Sequence, residues 1–448
     1  MNLKTKPIDL SSDPVEVFER LVSRHECCFL LETLAEEGQS RASGQSYIGV
    51  APEHRFAARS GRFYADGDEE PADNPYRALS SKIGFDKKLP AHYVGGLVGY
   101  FSHEAIQYME PSVKFDYARV FADFEFGQYD DGLVFRRGEA PEYFHYGPDR
   151  SDLYQAVAPA KRSAGLKIDF AEAAKSENQY RDMVDQARQD IQSGQVFQVV
   201  LASKYEYRFS GELFGLYKQL RVVNPSAFMF FMKFGDVITM GASPELLVHS
   251  DPAGRTSIEA LAGTIKRGKT PAEDAALARE LLSDPKEIAE HNMLVDLARN
   301  DVGRVSRIGS VKIDDLMYIK RLSHVQHICS LVSGRLGQGR TAFDALAAAF
   351  PAGTLVGAPK IEAAKMITEL EGYERGPYGG TVGYFGYNGD SMHAVNIRSL
   401  SAIGNKLFLH TGSGIVYDSQ AGREYREISD KKDAMDQAMA PFLKAGPS

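Results

Sequence analysis

The first 160 residues consist of short apolar runs separated by clusters of Gly, Pro and Asp. Three of these runs are CCFLLETL, GGLVGYFS and GLVFRRG. Short runs bounded by turn-forming residues are typical of β-strands. From about Ser176 the pattern changes, because NQYRDMVDQARQDIQSG has helical spacing and a stop at Gly194, whereas QVFQVVLASKYEY has strand character. The chain is therefore predicted to be an α+β protein with antiparallel sheets.

The change of pattern also suggests how the chain is organised. APAKRSAGLKIDF is the most linker-like segment, so we divide the sequence into residues 1–165 and residues 176–440. GGLVGYF at Gly95 to Phe101 recurs as GGTVGYF at Gly379 to Phe385. The two copies are either unrelated glycine-rich strands that pack closely against other backbone, or a duplicated structural element.

Charge and composition exclude several classes of function. The 448 residues include 60 acidic and 52 basic side chains, and a net charge of -8 does not favour binding to nucleic acid or to an anionic membrane. No run is long enough to span a bilayer, and MNLKTKPIDLSSDP lacks the apolar core of a signal peptide, so we expect a cytoplasmic location. Cys27, Cys28 and Cys329 are too few and too poorly spaced for a disulfide framework or a zinc site. They are expected to be reduced and packed in the interior.

PKEIAEHNMLVDLARND contains two glutamates on one predicted helical face. Asp284 fits the N-cap, Pro285 the first helical position and Glu287 the third, so Glu287 can be a capping-box residue. Glu290 lies one turn further along the same face, beyond capping reach. Glu287 can therefore cap its helix and still belong to a carboxylate pair with Glu290.

A second carboxylate pair lies near the C-terminus, in GREYREISDKKDAM. Glu424, Glu427 and Lys431 share one helical face, which is also the pattern of an exposed helix with a Glu427–Lys431 ion pair. Together the two pairs would supply four hard oxygen ligands, with no Cys and one neighbouring His. That donor set suits Mg²⁺ better than Zn²⁺, with some carboxylates acting through water.

Read in order, the motifs of this chain resemble those of the chorismate-utilising enzymes. The matching stretches are IQSGQVFQVVLAS, NPSAFMFF, GASPELLV, ALAGTIKRG, DPKEIAEHNMLVDLARNDVGRV, HVQHICS, FPAGTLVGAPKIEAAKMI, RGPYGGTVGYFGY, NIRS, TGSGIVYDS and EYREISDK. They cover about Gln179 to Met435, and FLLETL and GGLVGYFSHEAIQY extend the likeness to nearly the whole chain. The resemblance implies an interlocked α+β sandwich of two large antiparallel sheets flanked by helices. It places a regulatory region in 1–165 and chorismate binding in 176–440.

The resemblance also implies a role for each matched residue. A Mg²⁺ site is implied at Glu287, Glu290, Glu424 and Glu427. Contacts to chorismate are implied for Gly263, Thr264, Tyr378, Arg398, Gly412, Gly414 and Lys431, and a part in the chemistry for Glu245, His291, Gln198 and Thr354. Glu245 matches the general acid, so its pKa is expected to be raised by burial or by nearby carboxylates. His291 either takes part in pyruvate elimination or only hydrogen-bonds to Glu287 or Glu290.

Two positions separate the branches of this family. Gln198 stands where isochorismate and salicylate synthases carry a lysine that activates water, and a neutral amide cannot serve as that base. Ala262 stands where aminodeoxychorismate synthases commonly carry a nucleophilic lysine. The resemblance therefore implies that ammonia attacks chorismate at C2 and that anthranilate is formed. The alternatives are an aminodeoxychorismate synthase and a catalytically silent regulatory homologue.

The ammonia source and the regulator are also implied by the resemblance. The segments ECCFL and HICSL are not the cysteine elbows of a glutamine amidotransferase, so a separate amidotransferase subunit is the expected partner in a hetero-oligomer. Tryptophan-inhibited relatives carry LLES and NPSPYM, where this chain has LLET and NPSAFM. We expect tryptophan to bind at these two motifs, through Glu32, Thr33, Asn224, Ala227, Phe228 and Met229.

Overall fold

The computed structural model describes residues 2–34, 44–155, 165–321 and 325–443, most of them in two antiparallel sheets flanked by helices. The strands are β1 (Lys4–Pro7), β2 (Cys27–Thr33), β3 (Gln45–Val50), β4 (His54–Arg59), β5 (Arg62–Ala65), β6 (Asp68–Glu70), β7 (Gly96–Phe101), β8 (Phe124–Tyr129), β9 (Asp131–Arg136), β10 (Glu142–His145), β11 (Lys167–Ala173), β12 (Gln198–Ser210), β13 (Phe228–Phe234), β14 (Val237–Ser243), β15 (Leu246–Ser250), β16 (Arg255–Lys266), β17 (Lys312–Arg321), β18 (Val325–Arg335), β19 (Gly357–Ala358), β20 (Thr381–Gly386), β21 (Ser391–Val395), β22 (Ser399–Ile403) and β23 (Lys406–Ile415). The helices are α1 (Pro14–Val22), α2 (Pro75–Ser81), α3 (Asp152–Gln155), α4 (Glu177–Gln192), α5 (Phe214–Val223), α6 (Pro271–Leu281), α7 (Pro285–Val305), α8 (Ala342–Ala349), α9 (Gly353–Val356), α10 (Lys360–Glu371) and α11 (Ala421–Met439), with 3-10 turns at His103–Tyr108 and Ala440–Phe442.

Both sheets mix strands from the two halves of the sequence. The first sheet has the order β1-β10-β9-β3-β2-β13-β14-β22-β23-β12-β11, with β19 beside β12, and the second has the order β17-β18-β16-β15-β21-β20-β7-β8-β4-β5-β6. The predicted interlocked α+β fold is therefore confirmed. In the segment predicted as a linker, residues 158–164 lie outside the described residues, and the prediction is wrong for 167–170, which begin strand β11.

The repeated GG-VGYF motif forms two neighbouring strands. β7 and β20 pair in antiparallel register, with Gly99 opposite Gly383. A Cβ atom at Gly99 would lie 2.0 Å from the Glu125 carbonyl oxygen, and one at Gly383 would lie 1.9 Å from the Met392 carbonyl oxygen. Close backbone packing therefore accounts for glycine at both positions.

The two sheets face each other across an aromatic core. Phe29 and Phe230 come from the first sheet, and Tyr100 and Tyr384 from the second. All three cysteine thiols are buried, as predicted. Within the described ranges, no helix is both long and apolar enough to cross a membrane.

The chain crosses between the sheets at two adjacent places. Glu245 lies between β14 of the first sheet and β15 of the second, and Arg398 lies between β21 of the second sheet and β22 of the first. The Val395 amide donates to the Glu245 carbonyl at 3.0 Å, and the Ala242 amide donates to the Arg398 carbonyl at 3.1 Å. These bonds join the two crossovers and bring Glu245 and Arg398 together.

Candidate active site

Glu245 is a buried carboxyl that accepts one strong hydrogen bond. Its side chain is 8% exposed, and the Thr354 hydroxyl of α9 donates to Oε1 at 2.6 Å. Burial raises the pKa of Glu245 to about 7, and the hydrogen bond from Thr354 opposes part of that shift. The carboxyl can therefore hold a proton near neutral pH, as a general acid requires.

Arg398 supplies the positive charge beside this acid. It adopts a left-handed backbone conformation with φ of 48°, uncommon for a residue with a side chain. Burial lowers the pKa of its guanidinium, and the negative charge of Glu245 opposes that shift. Arginine remains a cation at neutral pH, so this crossover offers a fork of donors for a carboxylate.

Glu287 faces a bulge in β16 instead of capping its own helix. Asp284 caps α7 by accepting from the Lys286 and Glu287 amides at 2.8 and 3.3 Å. A Cβ atom at Gly263, whose φ is 71°, would lie 3.1 Å from Glu287 Oε2. Burial, followed by the charge of Glu290, raises the pKa of Glu287, and the nearby Thr264 amide opposes that shift. The capping-box interpretation of Glu287 is therefore wrong.

The second carboxylate pair lies beside the glycines of β23. Burial, and after it the charge of Glu427, raises the pKa of Glu424, and the nearby Ser419 and Ser413 hydroxyls oppose that shift. Lys431 Nζ donates to Glu427 Oε1 and to the Gly412 carbonyl, both at 2.7 Å. The Glu427–Lys431 ion pair predicted as an alternative is thus present.

Two further predicted site residues meet at the same glycines. A Cβ atom at Gly412 would lie 3.0 Å from the Tyr378 hydroxyl oxygen, and one at Gly414 would lie 2.6 Å from Gln198 Nε2. Gln198, Tyr378 and the two glycines therefore form one wall of a site, because only a residue without a side chain leaves room there.

The four predicted Mg²⁺ ligands form two separate pairs of carboxylates. No three His, Cys, Asp or Glu side chains gather closely enough to hold a metal ion, within the part of the chain that the structure describes. In each pair, burial and the charge of the neighbouring glutamate raise the pKa of one carboxyl, Glu287 in the first pair and Glu424 in the second. A cation would relieve the repulsion between the carboxylates of each pair. Carboxylate oxygens fit Mg²⁺, which takes one or two carboxylates and completes its coordination shell with water.

His291 contacts a serine and neither glutamate. Its side chain is fully buried, and Nε2 lies 2.7 Å from Ser330 Oγ. Nδ1 has no hydrogen-bond partner among the described residues. Burial lowers the pKa of the imidazole, so the ring is neutral at pH 7. The alternative in which His291 hydrogen-bonds to Glu287 or Glu290 is wrong for this structure.

Four of the six predicted regulatory residues line a cavity between the two sheets. Its empty volume is about 370 Å³, and Glu32, Thr33, Phe228 and Met229 line it with residues of β20 and β21. The Glu32 carboxylate is paired with Arg221 at 3.1 Å. Ala227 and Asn224 do not line the cavity: the Ala227 carbonyl accepts from the Leu34 amide at 3.1 Å, and Asn224 ends helix α5.

Two buried ion pairs next to the site were missed by sequence reasoning. Glu259 pairs with Lys320 at 2.8 Å, and Glu371 pairs with Arg375 at 2.6 Å. The only sequence signal for the first pair is a charged residue within each of two strand-like runs. The second has an i, i+4 spacing that continues past the end of helix α10.

Comparison with known proteins identifies the class. Residues 26–437 match the family model described as chorismate binding enzyme. The match covers more than half of the chain, and the chain therefore belongs to the chorismate-binding enzyme family.

The individual relatives are more specific. Anthranilate synthase component 1 of Methanothermobacter marburgensis is 40% identical over 437 residues, which cover 95% of this chain and 93% of the relative. The Thermus thermophilus protein of that name is 36% identical and covers 96% of both chains. The crystal structure of anthranilate synthase component I from Streptococcus pneumoniae has a TM-score of 0.79 at 32% identity, covering 94% of this chain and 97% of that one. The menaquinone-specific isochorismate synthase of Escherichia coli, at 20% identity and a TM-score of 0.75 with coverage of 98% and 94%, shares the fold.

Proposed function

We propose that this chain converts chorismate and ammonia to anthranilate and pyruvate through aminodeoxyisochorismate, the committed step toward tryptophan. The observation that carries the proposal is the buried Glu245, a carboxyl with a pKa of about 7 beside Arg398 and Thr354. It protonates the departing C4 hydroxyl while ammonia enters at C2. Gln198 and Ala262 offer neither the base for water nor the lysine nucleophile of the other branches.

The substrate's carboxylates set the rest of the arrangement. Arg398 and Lys431 are the cations available to pair with them, and backbone N–H groups at Gly412 and Gly414 can approach an oxyanion closely. Mg²⁺, held through Glu287, Glu290, Glu424 and Glu427 partly by water, would neutralise and orient the ring carboxylate. The ring becomes aromatic when it loses the proton at C2 and the C3–O bond breaks, and the released enolpyruvate takes up a proton to give pyruvate. The neutral His291 takes part in this step.

One assay tests this assignment. Purified chain is incubated with chorismate, Mg²⁺ and ammonium, and the products are separated and identified. Anthranilate and pyruvate in equal amounts are expected. 4-Amino-4-deoxychorismate, isochorismate or salicylate as the main product would contradict the proposal. Glutamine in place of ammonium should give product only when an amidotransferase subunit is added.

Replacing His291 by Met should separate the two chemical steps. Methionine cannot replace the imidazole in pyruvate elimination, so this step should fail. Amination does not use His291 and should continue, so aminodeoxyisochorismate accumulates in place of anthranilate. Chromatography of the reaction mixture measures the ratio. A uniform fall of both products, with no aminodeoxyisochorismate accumulating, would contradict a role of His291 in elimination.

We further propose that tryptophan inhibits the chain from the cavity between the sheets. Strand pairing supports this, because Phe228 on one cavity wall lies opposite Ser243 and Ala394 on the other lies opposite Leu246. Both partners flank Glu245 closely along the chain. A ligand bound in the cavity would fix the distance between the two sheets. It would therefore also fix the positions of the two crossovers that carry Glu245 and Arg398.

Saturating tryptophan should lower the initial rate, whereas phenylalanine, which lacks the indole N–H, should not. Phe228→Ala removes an aromatic wall, and the inhibition constant should rise about tenfold, which corresponds to about 1.4 kcal/mol. Val222→Ala, at an exposed position on α5, is the matched control. An unchanged rate at saturating tryptophan would refute regulation at this cavity.

A further inference from the structure

A second cavity adjoins the general acid and contains three carboxylates. Its empty volume is about 380 Å³, and its walls are mostly apolar, with Leu247, Ile258 and Leu294 among them. Glu245, Glu259 and Asp301 are its acidic members. Lys360 Nζ forms an ion pair with Asp301 Oδ2 at 2.9 Å. Charged groups in an apolar cavity interact more strongly than they would in water, because the local dielectric constant is lower.

Two side chains of β17, which is two strands away from β16 in the sheet, hold the Glu259 carboxylate in place. Lys320 Nζ lies 2.8 Å from Oε2, and the Tyr318 hydroxyl donates to Oε1. Both partners are on β17, and β18 lies between β17 and β16. Lys320 is 4% exposed, so this ion pair is shielded from solvent. Glu259 therefore keeps a defined position relative to the cavity.

We propose that Glu259 is a positioning residue whose fixed negative charge, in the wall of the same cavity as Glu245, keeps the proton on the general acid. The proposal rests on the assignment of Glu245 as the acid of the chorismate reaction. It adds a residue that touches neither substrate nor metal and acts only through Glu245.

The charges around Glu245 determine the direction of the effect. Burial is the largest cause of its raised pKa, Glu259 adds to the shift, and Lys320 and Arg398 oppose it. Thr354, the contact from α9, is a neutral hydroxyl. Removing the Glu259 charge favours the ionised form of Glu245, so the acid loses its proton at a lower pH.

The test is the pH profile of kcat/KM with ammonium as the nitrogen donor. In Glu259→Gln the basic limb should move down by about one pH unit, so activity falls about tenfold at pH 8 and stays within about twofold at pH 6. Tyr318→Phe removes one hydrogen bond to the same carboxylate and keeps the charge, so its limb should stay in place. The double variant Glu259→Gln/Lys320→Met removes both charges, and its limb should lie between those of Glu259→Gln and the parent.

A titration without substrate provides a second measurement. The infrared band of the protonated Glu245 carboxyl, identified by its loss in Glu245→Gln, should disappear at a lower pH in Glu259→Gln than in the parent. An unmoved midpoint, or an equal shift in Tyr318→Phe, would overturn the role of Glu259. Because this titration needs no turnover, it decides the point even if the chain makes a product other than anthranilate.

Discussion

Glu245→Gln should lower kcat for anthranilate formation by about 10³-fold, within the range that a positioned general acid contributes. The amide keeps the size of the side chain and can still accept from Thr354, but it carries no acidic proton for the departing hydroxyl. Anthranilate fluorescence measures the rate. Neither aminodeoxyisochorismate nor anthranilate should accumulate, in contrast to the His291→Met variant, because the first chemical step is the one that fails.

Two comparisons make this result specific. Glu280→Gln, at an exposed position of α6, should leave kcat unchanged. In the parent, kcat/KM should fall tenfold per pH unit above about pH 7, since the acid is then ionised, and this basic limb reports the raised pKa of Glu245. A loss below tenfold in Glu245→Gln, or a profile that is flat to pH 9, would show that the proton comes from elsewhere.

Arg375→Met should lower the free energy of unfolding by about 3–5 kcal/mol, because it leaves the buried Glu371 carboxylate without its counter-charge. Arg375 is fully buried and holds Glu371 through two hydrogen bonds of 2.9 and 2.6 Å. It also donates to the Leu355 carbonyl, next to Thr354, and to the Val200 carbonyl of β12 at 2.8 and 2.7 Å. Activity should therefore fall together with stability.

Chemical denaturation measures this effect, and the chain offers a matched control. Lys365 and Glu362 form an exposed ion pair at 2.8 Å on α10, so Lys365→Met should cost less than about 1 kcal/mol. The double variant Glu371→Gln/Arg375→Met removes both buried charges and should cost less than the two single losses added together. Additive losses would show that the pair is not coupled.

The elements were predictable wherever local physical chemistry decides them. Asp284 and Pro285 start helix α7 because the carboxylate satisfies amides that the helix leaves free and proline is compatible with the first turn. Ser176 and Gln179 form a capping box at the start of α4 for the same reason. The sequence also shows Gln198 and Ala262 directly, so neither position can supply the lysine that the other branches of the family use.

The partners of the site residues were decided by the tertiary structure. Glu287 fits a capping box by its spacing, yet its carboxylate lies against Gly263 at the bulge of β16. His291 stands beside Glu290 in sequence, but it points to Ser330 on β18, a strand paired with β16. Side chains turn toward whichever neighbour the packing of helix on sheet supplies, and spacing along one helix does not contain that information.

The residue types that the chemistry needs, the starts of the helices and the family membership can all be read from the sequence. Folding in three dimensions places Glu245 and Arg398 on adjacent crossovers between two sheets, and it buries Glu245 enough to raise its pKa to about 7. The physical reason is that desolvation and the charges of Glu259 and Lys320 act through space, between strands that are far apart in the chain.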